Sequence, residues 1–163
     1  MVGPQQVLNS PSQAAIESQM TNTPRIALIT AHGQPSAPEP PEEALAQLAA
    51  QVQELLPEWD IRSVTLSAPG RFEVELVPGA VVYPFFMAQG WFVGKVLPKR
   101  LGDIAHQMAC PFGLDTALPA LVADAINREV TELDWGQQRY DLLLAAHGSA
   151  RGPKAAQAAN DFA

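Results

Sequence analysis

Two histidines carry the chemistry that this sequence can be expected to do. His32 closes the stretch Arg25 to Gly33, RIALITAHG, and His147 closes Arg139 to Gly148, RYDLLLAAHG, so Ala-His-Gly follows a short apolar run twice. A histidine beside glycine at the end of a buried strand presents its ring with little steric cover. Neutral imidazole in that position can hold a metal ion or accept a proton. For one such histidine alone, a loop residue with a backbone hydrogen bond is the better account; the repetition points to a shared role or to a duplicated turn. His106, beside a helix end where its charged form would be favoured, reads as structural.

Several chemistries find no support. No Gly-x-x-x-x-Gly-Lys or Gly-x-Gly-x-x-Gly follows either apolar run, so neither ATP nor another nucleotide is expected. Ser149 is not in a Gly-x-Ser-x-Gly elbow, and the single cysteine, Cys110, excludes zinc-finger spacings and internal disulfides. Cys110 lies in an apolar, strand-like stretch and is expected to be a buried structural thiol, in a chain suited to a reducing, cytoplasmic compartment. A net charge of −7 argues against a nucleic-acid partner, which would require a basic footprint. No apolar run reaches the ~18 residues of a membrane span, so no membrane partner is expected.

The elements that must position the histidines follow from the apolar pattern. Ile26 to Ile29 and Leu142 to Leu144 are continuous apolar runs, as in parallel strands covered on both faces. Each is followed by a Gly/Pro-rich loop and an alanine-rich helical segment, Glu42 to Leu56 and Lys154 to Ala163. Strand, loop, helix is the first step of a βαβ unit, and in open parallel sheets ligands bind beyond the carboxyl ends of the strands, where both histidines would lie.

Between the copies, Pro35, Pro38, Pro40 and Pro41 are expected to bar a helix before Glu42. Asp60 to Ala68 reads as a second strand, Phe72 to Leu76 as a short helix, and Ala80 to Met87 as a central third strand, with Pro84 near its end. Gly90 to Ile104 is helical in pattern apart from Pro98 and holds the basic cluster Lys95, Lys99 and Arg100. A short strand at Gln107 to Cys110 and a helix at Ala117 to Val130, capped by Asp115 or Thr116, complete the unit.

The expected fold class is therefore α/β, a doubly wound and mostly parallel sheet flanked by helices, with one complete half and the start of a second repeat. The expected domains are a disordered tail at 1–24, an α/β domain at 25–131, a linker at 132–138, and the first strand and helix of a truncated repeat at 139–163. One strand and one helix cannot bury their own face, so a homodimer or a missing C-terminal half is expected to complete the second unit.

LLLAAHGSARGP at Leu142 to Pro153, ALITAHGQP at Ala27 to Pro35 and VVYPFFMAQGWFVGKVLP at Val81 to Pro98 resemble CbiX-type sirohydrochlorin chelatases of the class II chelatase group. The resemblance covers Arg25 to Ala163. It implies a two-halved α/β fold holding a tetrapyrrole, and insertion of Co²⁺ or Fe²⁺ as the substrate metal, without ATP, toward cobalamin or sirohaem. It also implies that His32 and His147 contact the metal and take the displaced protons. Phe86, Met87, Trp91 and Phe92 would line the macrocycle, with Phe85 shared between core and site, while Lys95, Arg100, Ser149 and Arg151 would meet its carboxylates and edge. Phe92 stands where the family pattern Gly-x-His places a second histidine. A phenyl ring neither binds metal nor accepts a proton, which motivates an alternative: a catalytically silent tetrapyrrole- or metal-binding module, or an inactive fragment.

Overall fold

The computed structural model describes residues 25–136, 139, 141–146 and 152–163. The tail at 1–24, and His147, Ser149 and Arg151 of the second motif, lie outside the described residues. Four strands form one sheet in the order β2-β1-β3-β4, every neighbouring pair parallel: β1 (Arg25–Ala31), β2 (Trp59–Thr65), β3 (Ala80–Pro84) and β4 (His106–Met108). The apolar run Ile26 to Ile29 is the middle of β1, which has a partner on each side: Leu28 sits opposite Arg62 of β2 and Val82 of β3.

Successive strand side chains point to opposite faces, and here both faces are covered. Leu28, Val64 and Val82 pack against Phe72, Leu76, Leu97 and Leu101, delivered by α2 (Arg71–Glu75) with the residue after it and by α3 (Leu97–Leu101). On the other face Ile29 packs against Leu45 and Ala49 of α1 (Glu39–Leu55), with Leu48, Val52, Ile61, Tyr83 and Phe85 beside them. Each fully buried Leu or Phe of this kind contributes about 2–3 kcal/mol by removal of apolar surface from water. This is the doubly wound half that the paired apolar runs imply.

Several boundaries differ from the sequence expectation. Helix α1 begins at Glu39, because Pro40 and Pro41 occupy its first turn, where an amide hydrogen has no intrahelical acceptor and proline loses nothing. Its other end is tied to β2 by Gln53, whose Nε2 donates to the carbonyls of Leu56 (3.2 Å) and Trp59 (2.7 Å) while its Oε1 accepts from the Ile61 amide (2.9 Å). Strand β3, read as Ala80 to Met87 with Pro84 as its end, does stop at Pro84, which cannot donate to a ladder.

The segment with the basic cluster opens as a π-helical turn, Phe92–Val96, and only then becomes α3. The turn carries one residue more than an α-helix needs, so Leu97 donates to the Phe92 carbonyl five residues back, and Pro98, which has no amide hydrogen to place, follows it.

On the far side, β4 is a short edge strand that His106 opens instead of ending a helix; its Nδ1 lies 2.6 Å from the Ile104 carbonyl. Cys110, expected to be buried, is exposed, because the chain leaves the sheet after Met108. A 3₁₀ turn, Phe112–Leu114, leads to α4 (Leu118–Glu132); its N-cap is Ala117, not the expected Asp115 or Thr116, and Asp115 Oδ1 accepts from the Ala117 amide at 2.9 Å in the turn before it. Helix α4 runs on to Glu132, into the expected linker, and of its residues Leu118 is the buried one. Residues 141–146, expected as a strand, form none and are exposed; a strand needs a ladder partner, and no described residue supplies one. The helix expected after them is α5 (Lys154–Phe162).

Candidate functional site

In the order β2-β1-β3-β4 the winding reverses between β1 and β3, and the crevice beyond their carboxyl ends is where an open α/β sheet takes a ligand. His32 is the first residue past β1. Phe85 to Gly90 is the loop past β3. Local chemistry holds both in place. Gly33 has a left-handed backbone (φ +74°), and a Cβ there would collide with the hydroxyl of Ser67 and the side chain of Thr65, so only glycine lets the turn after His32 lie against the end of β2. Those two hydroxyls are 3.0 Å apart. The Thr65 amide in turn donates to Glu42 Oε2 at 3.0 Å, which fixes the end of β2 to α1.

The His32 ring is exposed, and its Nδ1 lies 2.7 Å from the Gly33 carbonyl oxygen. A carbonyl only accepts, so Nδ1 is the donor, and in the neutral ring Nε2 keeps the lone pair, the form that binds a divalent metal or takes a proton. Aromatic rings flank it. The Phe92 centroid is 4.0 Å from that of His32 with the planes at 69°, Trp91 meets Phe92 edge-on at 5.1 Å, and Phe86 lies nearly parallel to Phe92 at 6.3 Å. Phe85 points to the opposite face, against Phe112 at 4.7 Å and beside the α1 cluster, and so belongs to the core.

Phe86 and Trp91 thus gather on Phe92, which meets His32. Met87 is 60% exposed and, with Ala88 and Gly113, faces Leu144, Ala146 and Phe162 across an apolar cavity of 210 Å³. Gly113 is needed there, because a Cβ would run into the Met87 backbone. Lys95 is exposed in a groove that it shares with Trp91, Lys99 and Arg100.

Arg100 is placed differently from the expectation that it meets substrate carboxylates. Its Nε and one terminal nitrogen donate to the two carboxylate oxygens of Glu73, both at 2.7 Å, and the other terminal nitrogen donates to the Leu66 carbonyl at 2.9 Å. Its guanidinium also lies 4.8 Å from the Phe72 ring centroid. The fork holds the Glu73 carboxyl below its ordinary range, chiefly by hydrogen bonding. On the α1 face, burial pushes the Tyr83 hydroxyl up, with smaller contributions from Asp115 and Cys110.

Sequence reasoning found His32 and its aromatic neighbours but missed the Glu73–Arg100–Leu66 connection, which joins residues far apart in the chain and has no spacing signature. His147, Ser149 and Arg151 lie outside the described residues, and no group of three potential metal ligands occurs among the described residues. No described helix is long and apolar enough to cross a membrane.

A parallel sheet wound on both faces, with a histidine at the crevice beside its first strand, defines this chain as a doubly wound α/β protein. Among solved structures it is similar to CbiX, described as the terminal enzyme for biosynthesis of siroheme in denitrifying bacteria, at 39% identity and a TM-score of 0.76 over 85% of this chain and 62% of that one. The chain shares the fold of that protein. It spans less than two thirds of the length of that relative. A cobalamin (vitamin B12) biosynthesis CbiX protein from Marinobacter aquaeolei VT8 is 19% identical, covering 67% of this chain and 99% of its own, at a TM-score of 0.44. Neither a family model nor a curated protein matches the chain.

Proposed function

We propose that this chain is a sirohydrochlorin chelatase-like protein that inserts Co²⁺ or Fe²⁺ into a tetrapyrrole without ATP, in siroheme or cobalamin biosynthesis and in the cytoplasm. The observation that carries the reading is the exposed His32, with Nε2 free, beside an aromatic wall in a CbiX-type fold. Insertion exchanges two pyrrole N–H protons for one divalent ion. A base must take the protons, and a ligand must hold the ion loosely enough to release it; imidazole near neutral pH does both.

In this reading Phe86, Trp91 and Phe92 support the macrocycle face and Lys95 meets a peripheral carboxylate. The second imidazole comes from His147, with Ser149 and Arg151 beside it, in a second repeat completed by further chain or by a homodimer partner. The test is the visible spectrum of sirohydrochlorin mixed with Co²⁺ and the protein. Insertion that disappears in His32→Ala and His147→Ala supports the reading, and no insertion by a verified full-length protein rejects it.

A second reading is favoured by Phe92, whose ring takes up the space beside His32 that a second ligand would need. A silent carrier would bind sirohydrochlorin tightly and leave it metal-free. Turnover by the wild-type protein excludes this.

A further inference from the structure

A closed ring of contacts joins His32 to Phe92 through a residue that touches neither. The Leu66 amide donates to the Ala31 carbonyl at 2.8 Å, and Ala31 is the residue before His32. The Leu66 carbonyl accepts from Arg100 at 2.9 Å. Arg100 stands at the end of the helical segment whose first residue is Phe92, and the Phe92 ring returns to His32 at 4.0 Å. Glu73 of α2 holds the guanidinium by both its oxygens, so the donor that reaches Leu66 is fixed in direction.

We propose that Arg100 is a positioning residue of the site: locked by Glu73, it fixes the β2 end loop to α3 and thereby sets where Phe92 stands against His32. The core alone does not do this. Leu97 and Leu101 anchor α3, and Val93 anchors the π turn, by apolar contacts, which set depth in the core more than position along it. A directional hydrogen bond from the same helix to the carbonyl of Leu66, whose amide is bonded to Ala31, removes that freedom. Lysine cannot replace it, since an ammonium offers no fork able to span a carboxylate and a carbonyl at once. The geometric claim stands without any assigned activity; its bearing on catalysis rests on the chelatase reading above.

The His32 ring protons report the geometry directly, because an aromatic ring at 4.0 Å displaces their NMR frequencies. The 163-residue chain labelled in histidine would be compared as wild type, Phe92→Leu, Arg100→Lys and Glu73→Gln, with His32→Gln identifying the signal and His106 as internal control. Arg100→Lys and Glu73→Gln should each move the His32 signals more than halfway toward their Phe92→Leu positions while His106 stays in place. Wild-type His32 signals in both variants would overturn the proposal. Loss of the His106 signal position and of the circular dichroism in both would overturn it too, by making the pair a requirement for folding and not a setting of the site. If the full-length protein inserts Co²⁺, the same two variants should slow insertion by roughly 10- to 100-fold, as small misplacements in an active site do. If it does not, the chelatase reading fails while the NMR result still decides the role of Arg100.

Discussion

The Phe92 ring packs edge to face on the imidazole of His32, centroids 4.0 Å apart and planes at 69°. A side chain at position 92 therefore reaches the His32 ring, near where a second metal ligand would have to stand. Phe92→His should create a two-imidazole site and tighten Co²⁺ binding by at least ~10-fold, a gain of about 1.4 kcal/mol. Titration of the variant with Co²⁺, followed by its visible absorption, checks this. An affinity equal to that of the wild type would show that position 92 does not share a ligand sphere with His32.

The turn after His32 has no room for a methyl group. Gly33→Ala would put a Cβ against Ser67 and Thr65 in a left-handed backbone, and should lower stability by about 1–3 kcal/mol. Urea denaturation at constant slope would measure the loss. Adding Ser67→Ala should restore only part of it, because the backbone conformation remains unfavourable for alanine.

Thr30, two residues before His32 in β1, is fully buried, and its hydroxyl has no hydrogen-bond partner among the described residues. Thr30→Val keeps the shape and removes the unsatisfied group, so it should raise stability by about 1 kcal/mol. A lower denaturation midpoint would reveal a partner for that hydroxyl in the folded protein.

Glu73 sets a pH dependence whose sign is fixed by its partner. The Arg100 fork lowers its carboxyl from the ordinary 4.5, so the unfolded chain binds the proton more readily than the folded one. The stabilisation is then present above about pH 4.5 and is lost as the pH falls through the lower folded value. Stability curves of wild type and Glu73→Gln should be separated at neutral pH and converge in acid. Parallel curves down to acid pH would mean that the pair does not hold Glu73 ionised.

The sequence made legible what local pattern encodes. Ile26 to Ile29 announced a strand covered on both faces, Ala-His-Gly marked its end, and Val81 to Pro98 brought Phe86, Trp91 and Phe92 to the same crevice. Position in the sheet and helix phase were less visible. Cys110 looked like a strand residue by composition, yet it lies beyond a short edge strand where nothing covers it. Pro40 and Pro41 looked like barriers, although a first helical turn accepts them. Arg100 looked like a surface cation, and its true partners, Glu73 and the Leu66 carbonyl, become neighbours only once α2, α3 and the end of β2 are packed together.

The π turn at Phe92–Val96 bears on how the length of this chain can change. Such a turn is an α-helix carrying one residue more than it needs, and here the Leu97 amide reaches back to Phe92 instead of to Val93. Both ends of the segment keep their facing, Phe92 toward His32 and Leu97 toward the core. Loss of one residue among Val93, Gly94 and Lys95 would let the turn close as ordinary α-helix while leaving those two faces aligned. This is a seam at which the sequence can shorten by one residue without turning its aromatic wall away from the histidine.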